Sequence, residues 1–201
     1  MTHAQIKHLK DQCIVLKLIP VAEQGGVATV ISQQLGRIGL YIKNRYPNKQ
    51  ALFCPAYELS LELSKKPQSD LYWPARVNIT NAHHTLHQSL EHMLLAQSLL
   101  EDCHHLLPLE HPESIIYQAL QTGLSGLVSS TQPEQLLKHL LMFEEILITT
   151  LGYGEPSIFT THSLAIEDLW HLFDRHTQKF KHMSTLPFYA RDMLVSVFKK
   201  V

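Results

Sequence analysis

His83, His87 and Glu91 recur at intervals of four residues. On one continuous helix this spacing stacks two imidazoles and a carboxylate on a single face, the geometry that a zinc or iron site uses. His84 could join Glu91 in the same way, and Cys103-His104-His105 forms a second candidate cluster. Against a metal site, His83 and His84 fall at the start of the predicted helix, and adjacent residues such as His104 and His105 point about 100° apart on a helix. The His-Glu-x-x-His pattern of metalloproteases is absent. Twelve of the 14 histidines follow residue 80, scattered over all the helical segments, and most read as surface groups standing in for Lys or Gln. No metal site is expected. Nucleophile patterns fare no better: the sequence contains no Gly-x-Ser-x-Gly, no phosphate-binding Gly-x-x-x-x-Gly-Lys-Ser/Thr and no Gly-x-Gly-x-x-Gly. Gly123-Leu124-Ser125-Gly126 lies inside a helical pattern, and Cys13 and Cys54 sit in apolar strand contexts that favour burial over reactivity. Neither a catalytic residue nor a cofactor is expected, and the chain reads as a non-enzyme.

A different chemistry is concentrated between residues 37 and 49. Arg37, Lys43, Arg45 and Lys49 interleave with Tyr41 and Tyr46. Cations that track phosphates, beside aromatic rings on which bases stack, are the physical requirements of single-strand binding. The competing reading is an ordinary solvated loop.

The elements that must position these residues follow two grammars. Residues 1–80 alternate with period two. Strands are expected over 13–19, 27–32 and 36–43, then over 57–64, where Tyr57, Leu59, Leu61 and Leu63 face one way and Glu58, Ser60, Glu62 and Ser64 the other. A fifth is expected over 71–79, with Pro74 marking an edge or a bulge. Gly25-Gly26 suits a turn with positive φ, and Gly36 and Gly39 suggest bending or close backbone approach. Five strands in about 80 residues without a helix suit a small barrel. From residue 81 the period becomes 3.6, with helices expected over about 85–106, 113–128, 131–151, 163–181 and 188–199. Thr131-Gln132-Pro133-Glu134 reads as a capped helix start and Gly152 as a stop. The fold class is therefore α+β: an OB-fold-like five-stranded domain over 1–80, followed by an all-helical domain over 81–201.

Composition sets the outer limits. The 201 residues are 45% hydrophobic and 17% charged, enough for a core and unlike a disordered chain. No apolar run approaches the roughly 18 residues of a membrane span, and Met1–Lys10 lacks the apolar stretch of a secretory signal, so a cytoplasmic protein is expected. The three cysteines, far apart, supply no disulfide framework. A net charge of −1 conceals a strong asymmetry: +5 over residues 1–80, −8 over 81–157 and +2 over 158–201. A basic barrel joined to an acidic helical body points to polyanion binding by the barrel.

The order of elements resembles a known family, the bacterial recombination mediator RecO. Val27-Ala28-Thr29-Val30-Ile31-Ser32 followed by Leu35-Gly36-Arg37-Ile38 is similar to the family's strand, turn and Gly-Arg step, with Lys43 to Lys49 matching its basic loop. Leu52-Phe53-Cys54-Pro55 before Tyr57 to Leu61 looks like its Leu-x-Pro-Phe strand entry. Phe143-Glu144, then Leu147 and Leu151-Gly152-Tyr153-Gly154, is the most specific match. Leu186-Pro187 followed by Tyr189 to Leu194 looks like the family's C-terminal Pro-Leu-x-Ser-Arg-Glu-Leu segment. The resemblance implies an OB-fold domain on a helical domain, binding to single- and double-stranded DNA, and strand annealing. It further implies partnership with RecR and with single-stranded-DNA-binding protein, loading of recombinase, and a nucleoid-associated location. Applied to this chain, it makes Arg37, Lys43, Arg45, Lys49, Tyr41 and Tyr46 the DNA-binding residues, and Leu141, Met142 and Arg191 partner-binding residues. Leu141 and Met142 stand where the family often carries a basic pair, and no cysteine follows Cys103 to build the four-cysteine zinc site of some members. An adaptor that has lost most DNA binding on the same fold is the alternative.

Overall fold

The computed structural model describes residues 9–21, 25–43, 50–154 and 165–198. The chain divides into two compact units. One is Met1–Ala82 together with Leu107–Ser114, and the other is His83–Leu106 together with Ile115–Val201.

The first unit is a closed OB-like barrel of β1 (Leu9–Val21), β2 (Gly25–Ser32), β3 (Gly36–Lys43), β4 (Glu58–Lys65) and β5 (Tyr72–Asn81), in the spatial order β1-β2-β3-β5-β4. All pairings are antiparallel except β3 with β5, which meet in parallel through Leu40 and Tyr72. The alternation read in the sequence fills the interior. Val30, Ile38, Leu40, Ile42, Leu59, Leu61 and Leu63 are all buried, with Tyr57 and Tyr72 packed against them. The register shift between β4 and β5 falls opposite Pro74 and Arg76, so Pro74 marks a bulge in a closed sheet and not an edge. Buried Asp11 fixes the β2–β3 turn, accepting from the Ser32 hydroxyl and from the Gln34 amide at 3.3 Å.

The sequence reading assigned everything after residue 80 to the helical domain. Structurally, Leu107–Ser114 belongs with the barrel. The Glu110 amide donates to the Arg37 carbonyl at 2.9 Å, and Leu109 bridges Arg37 in parallel. Gly36 makes this possible. Its φ is +74°, and a Cβ there would stand 2.1 Å from the His111 carbonyl oxygen.

The second unit is helical: α1 (Leu90–Leu106), α2 (Ser114–Ser129), α3 (Pro133–Thr150), α4 (Ile166–Met183) and α5 (Tyr189–Phe198). Its core draws on Leu95, Leu99, Leu120, Leu124, Leu140, Leu147 and Phe173, all below 2% exposed. None of its helices, among the described residues, is long and apolar enough to cross a membrane. α1 starts later than the expected residue 85. His84–His87 is a 3-10 turn entered through His83 at φ +44°, and the α-helix begins only after Ser89, whose hydroxyl accepts from the His92 amide at 3.2 Å. α3 is preceded by Gln132 without a side-chain cap, instead of the expected Thr131 cap. Its C-terminus closes as expected at Gly152. The Tyr153 amide donates to the Ile148 carbonyl at 2.9 Å and the Gly152 amide to Thr149 at 3.0 Å, a Schellman ending.

Candidate functional site

β3 alternates between core and surface, so that Ile38, Leu40 and Ile42 are buried while Arg37, Tyr41 and Lys43 point outward. The Leu40–Tyr72 pairing places the next residues, Tyr41 and Trp73, side by side on the outer face. Their ring centroids lie 4.7 Å apart at an interplanar angle of 52°. Across the β4–β5 hairpin, Lys66 lays its ammonium over the Trp73 ring, 4.4 Å from the centroid. Lys43 and Lys66 are both exposed, and neither has a carboxylate partner among the described residues. The result is an aromatic platform flanked by two exposed cations. In OB folds generally, the β2–β3 face and the loops joining β1 to β2 and β4 to β5 hold oligonucleotides or oligosaccharides. The platform lies on β3 and β5 at the β4–β5 loop.

Neighbouring cations are committed elsewhere. Lys65 lies 4.7 Å from the Tyr72 ring centroid and donates in a tight ion pair to Glu110, which raises the lysine's pKa. Burial first, and the Glu110 charge second, push the Tyr72 phenol up. Arg76 pairs with Glu62 at 3.6 Å across exposed surface, a contact that solvent and salt screen.

The sequence-derived binding residues are therefore divided. Tyr41 and Lys43 belong to the platform. Arg37 is on the same face but six residues from Lys43, about 20 Å along the strand, half-buried beside Leu109. Arg45, Tyr46 and Lys49 lie outside the described residues. Trp73 and Lys66 were missed. Lys65-Lys66 and Tyr72-Trp73 bracket a short turn between two strands, so hairpin pairing alone brings the basic pair to the aromatic pair.

The histidine cluster dissolves. His83 is buried in a left-handed turn and His87 exposed in a 3-10 turn, while Glu91 opens a separate helix, so the three share no helical face. Among the described residues no group of three or more His, Cys, Asp or Glu is placed to hold a metal ion.

In the helical unit, Leu141 is 0% and Arg191 1% exposed, which corrects their reading as residues that touch a partner. Arg191 is an internal tie. Its guanidinium lies over the rings of Phe173 and Phe180, 4.3 and 4.8 Å from their centroids. It donates to Thr177 Oγ1 at 2.8 Å and, in a tight ion pair, to buried Glu144. The other Glu144 oxygen faces His176 Nδ1 at 2.8 Å, and Glu145 faces His176 Nε2 at 3.0 Å. Asp102 on α1 completes the charged interior. Burial first, and the Glu144 charge second, raise its carboxyl well above the usual range, against the pull of Arg191.

No family model and no curated protein matches this sequence. The site must be read from its own geometry. Met142, the third residue assigned to a partner, is 50% exposed. It lines a groove of about 260 Å³ between α2 and α3 with Ile115, Gln118, Thr122, His139 and Ile146. α2 carries no acidic or basic residue along its entire length.

Proposed function

We propose that this protein is a non-enzymatic DNA-binding mediator of repair and recombination, in which the barrel binds DNA and the helical unit holds protein partners. One observation carries the reading: the outward Tyr41–Trp73 pair flanked by Lys43 and Lys66, which joins stacking surface to uncommitted positive charge. Phosphates take the cations, and exposed bases take the rings. Strand annealing and recombinase loading are the proposed roles of a strand held this way. RecR and single-stranded-DNA-binding protein are the proposed partners. The α2–α3 groove, with no lysine or arginine in its lining, offers them apolar contact.

The test is fluorescence anisotropy of labelled single-stranded DNA at about 50 and about 200 mM salt. With Lys43 and Lys66 each taking one phosphate, the log–log slope is expected to be about −1.4 on single strands. Absence of binding at low salt with tens of micromolar protein sinks the proposal. It would leave the second reading, an adaptor whose working surface is the charge-free face of α2 and its groove, a composition typical of interface cores.

A further inference from the structure

We infer that Lys66 and Trp73 form an exchangeable clamp that selects unpaired bases over duplex. The inference rests on the DNA-binding reading and assigns that site its preference. In the free protein the Trp73 ring already has an occupant, the Lys66 ammonium 4.4 Å from its centroid. Lys66 is exposed and directly follows the last residue of β4, so its stem can swing without disturbing the barrel. Tyr41 braces Trp73 from the neighbouring strand at 4.7 Å, so the indole stays in place when the lysine leaves.

The ring and the ammonium suit two groups that a single strand presents together. An unpaired base has a free π-face and stacks on the indole, while the adjoining phosphate accepts from the displaced ammonium. The exchange replaces an exposed cation–π contact by a stack and a charge-assisted hydrogen bond. Lys66 is the cation suited to this, because Lys65 beside it is held by Glu110. In duplex the bases already stack on one another and present only edges, so the platform gains nothing and only the phosphate contact survives. The clamp therefore reads strandedness and not sequence, since every base has a π-face.

Two tryptophans, Trp73 and Trp170, make the test optical. With Trp170→Phe, Trp73 alone reports. Its emission is expected to quench on titration with oligothymidylate, but not with an abasic deoxyribose-phosphate strand of equal length nor with blunt duplex. Independently, Trp73→Ala in the otherwise native chain is expected to weaken single-strand binding by about tenfold, within the range measured for one lost stack, with little change for duplex. Lys66→Ala should weaken both and reduce the magnitude of the salt slope by about one. Saturable binding that leaves Trp73 emission unchanged overturns the clamp but spares DNA binding, as does an equal loss on both strand types in Trp73→Ala. Failure of the native protein to bind any of the three probes overturns the DNA-binding reading and the clamp with it.

Discussion

Each unit of this protein lays a cation over aromatic rings, and the two sites have opposite roles. Lys66 rests over Trp73 with its ammonium in water and no carboxylate partner among the described residues. Arg191 rests over Phe173 and Phe180 at 1% exposure, with its charge matched by Glu144. The pairwise chemistry is the same. What differs is desolvation. An exposed ammonium keeps its hydration and can trade a ring for a phosphate, whereas a buried guanidinium has given up water and must retain every partner. One cation is available to a ligand and the other belongs to the fold.

The largest expected effect comes from breaking the buried member. Arg191→Ala strips the buried Glu144 of its guanidinium partner, leaving only His176 beside it, and should lower the helical unit's stability by about 3–5 kcal/mol in urea unfolding. Arg191→Lys should recover little, because an ammonium cannot reach Glu144 and Thr177 with the same fork while lying flat on two rings. Trp73→Ala, by comparison, should cost about 1 kcal/mol or less of stability. Equal losses in the two variants would erase the distinction drawn between the sites.

A smaller effect sharpens the comparison through pH. Among the described residues of the barrel, the groups with displaced pKa values (Cys13, Tyr57, Lys65 and Tyr72) are all raised and ordinarily titrate above neutrality. In the helical unit Asp102 is raised from the acidic side. A raised carboxyl binds its proton more tightly folded than unfolded. Its contribution is therefore complete below the ordinary value near 4 and is lost as pH rises from there through the raised pKa. Asp102→Asn should remove this decline, measured as urea midpoints across that window. With Trp170→Phe, Trp73 emission follows unfolding of the barrel by itself, and Asp102→Asn should leave that pH profile unchanged. A decline that persists in Asp102→Asn would place its origin elsewhere.

The barrel's architecture was legible because burial on one side of a strand writes itself into a period of two, and the Leu59-Leu61-Leu63 alternation held residue by residue. Pro74 and Gly152 were legible for a related reason, since a missing amide and a left-handed turn have few other uses. Contacts between residues distant in sequence were not. Nothing local in Arg191 or Glu144 announces that α3 and α5 bring them together, so an arginine near an expected partner motif looked exposed. Likewise Trp73 joins Tyr41 only through the parallel closure of β3 on β5, which no hairpin rule supplies. His83 and His87 failed because spacing arguments assume the helix has begun, and Ser89 begins it later.

The smallest expected effect lies in the α2–α3 groove and has the opposite sign to that of Asp102. Burial lowers the pKa of His139, whose Nε2 faces the Ser130 hydroxyl at 3.1 Å and whose ring lies where a side chain at Gly126 would stand. A depressed imidazole binds its proton less tightly folded than unfolded. Its contribution is thus present above the ordinary histidine value of about 6.5 and is lost as pH falls from there through the lowered pKa. The ring is only partly enclosed, so solvent screens much of the effect. His139→Gln keeps a polar group near Ser130 without a proton to gain. It should flatten the acid-side loss of stability just below neutrality, while leaving the Asp102 decline in place. An unchanged acid-side profile in His139→Gln would show that this imidazole contributes nothing to that flank.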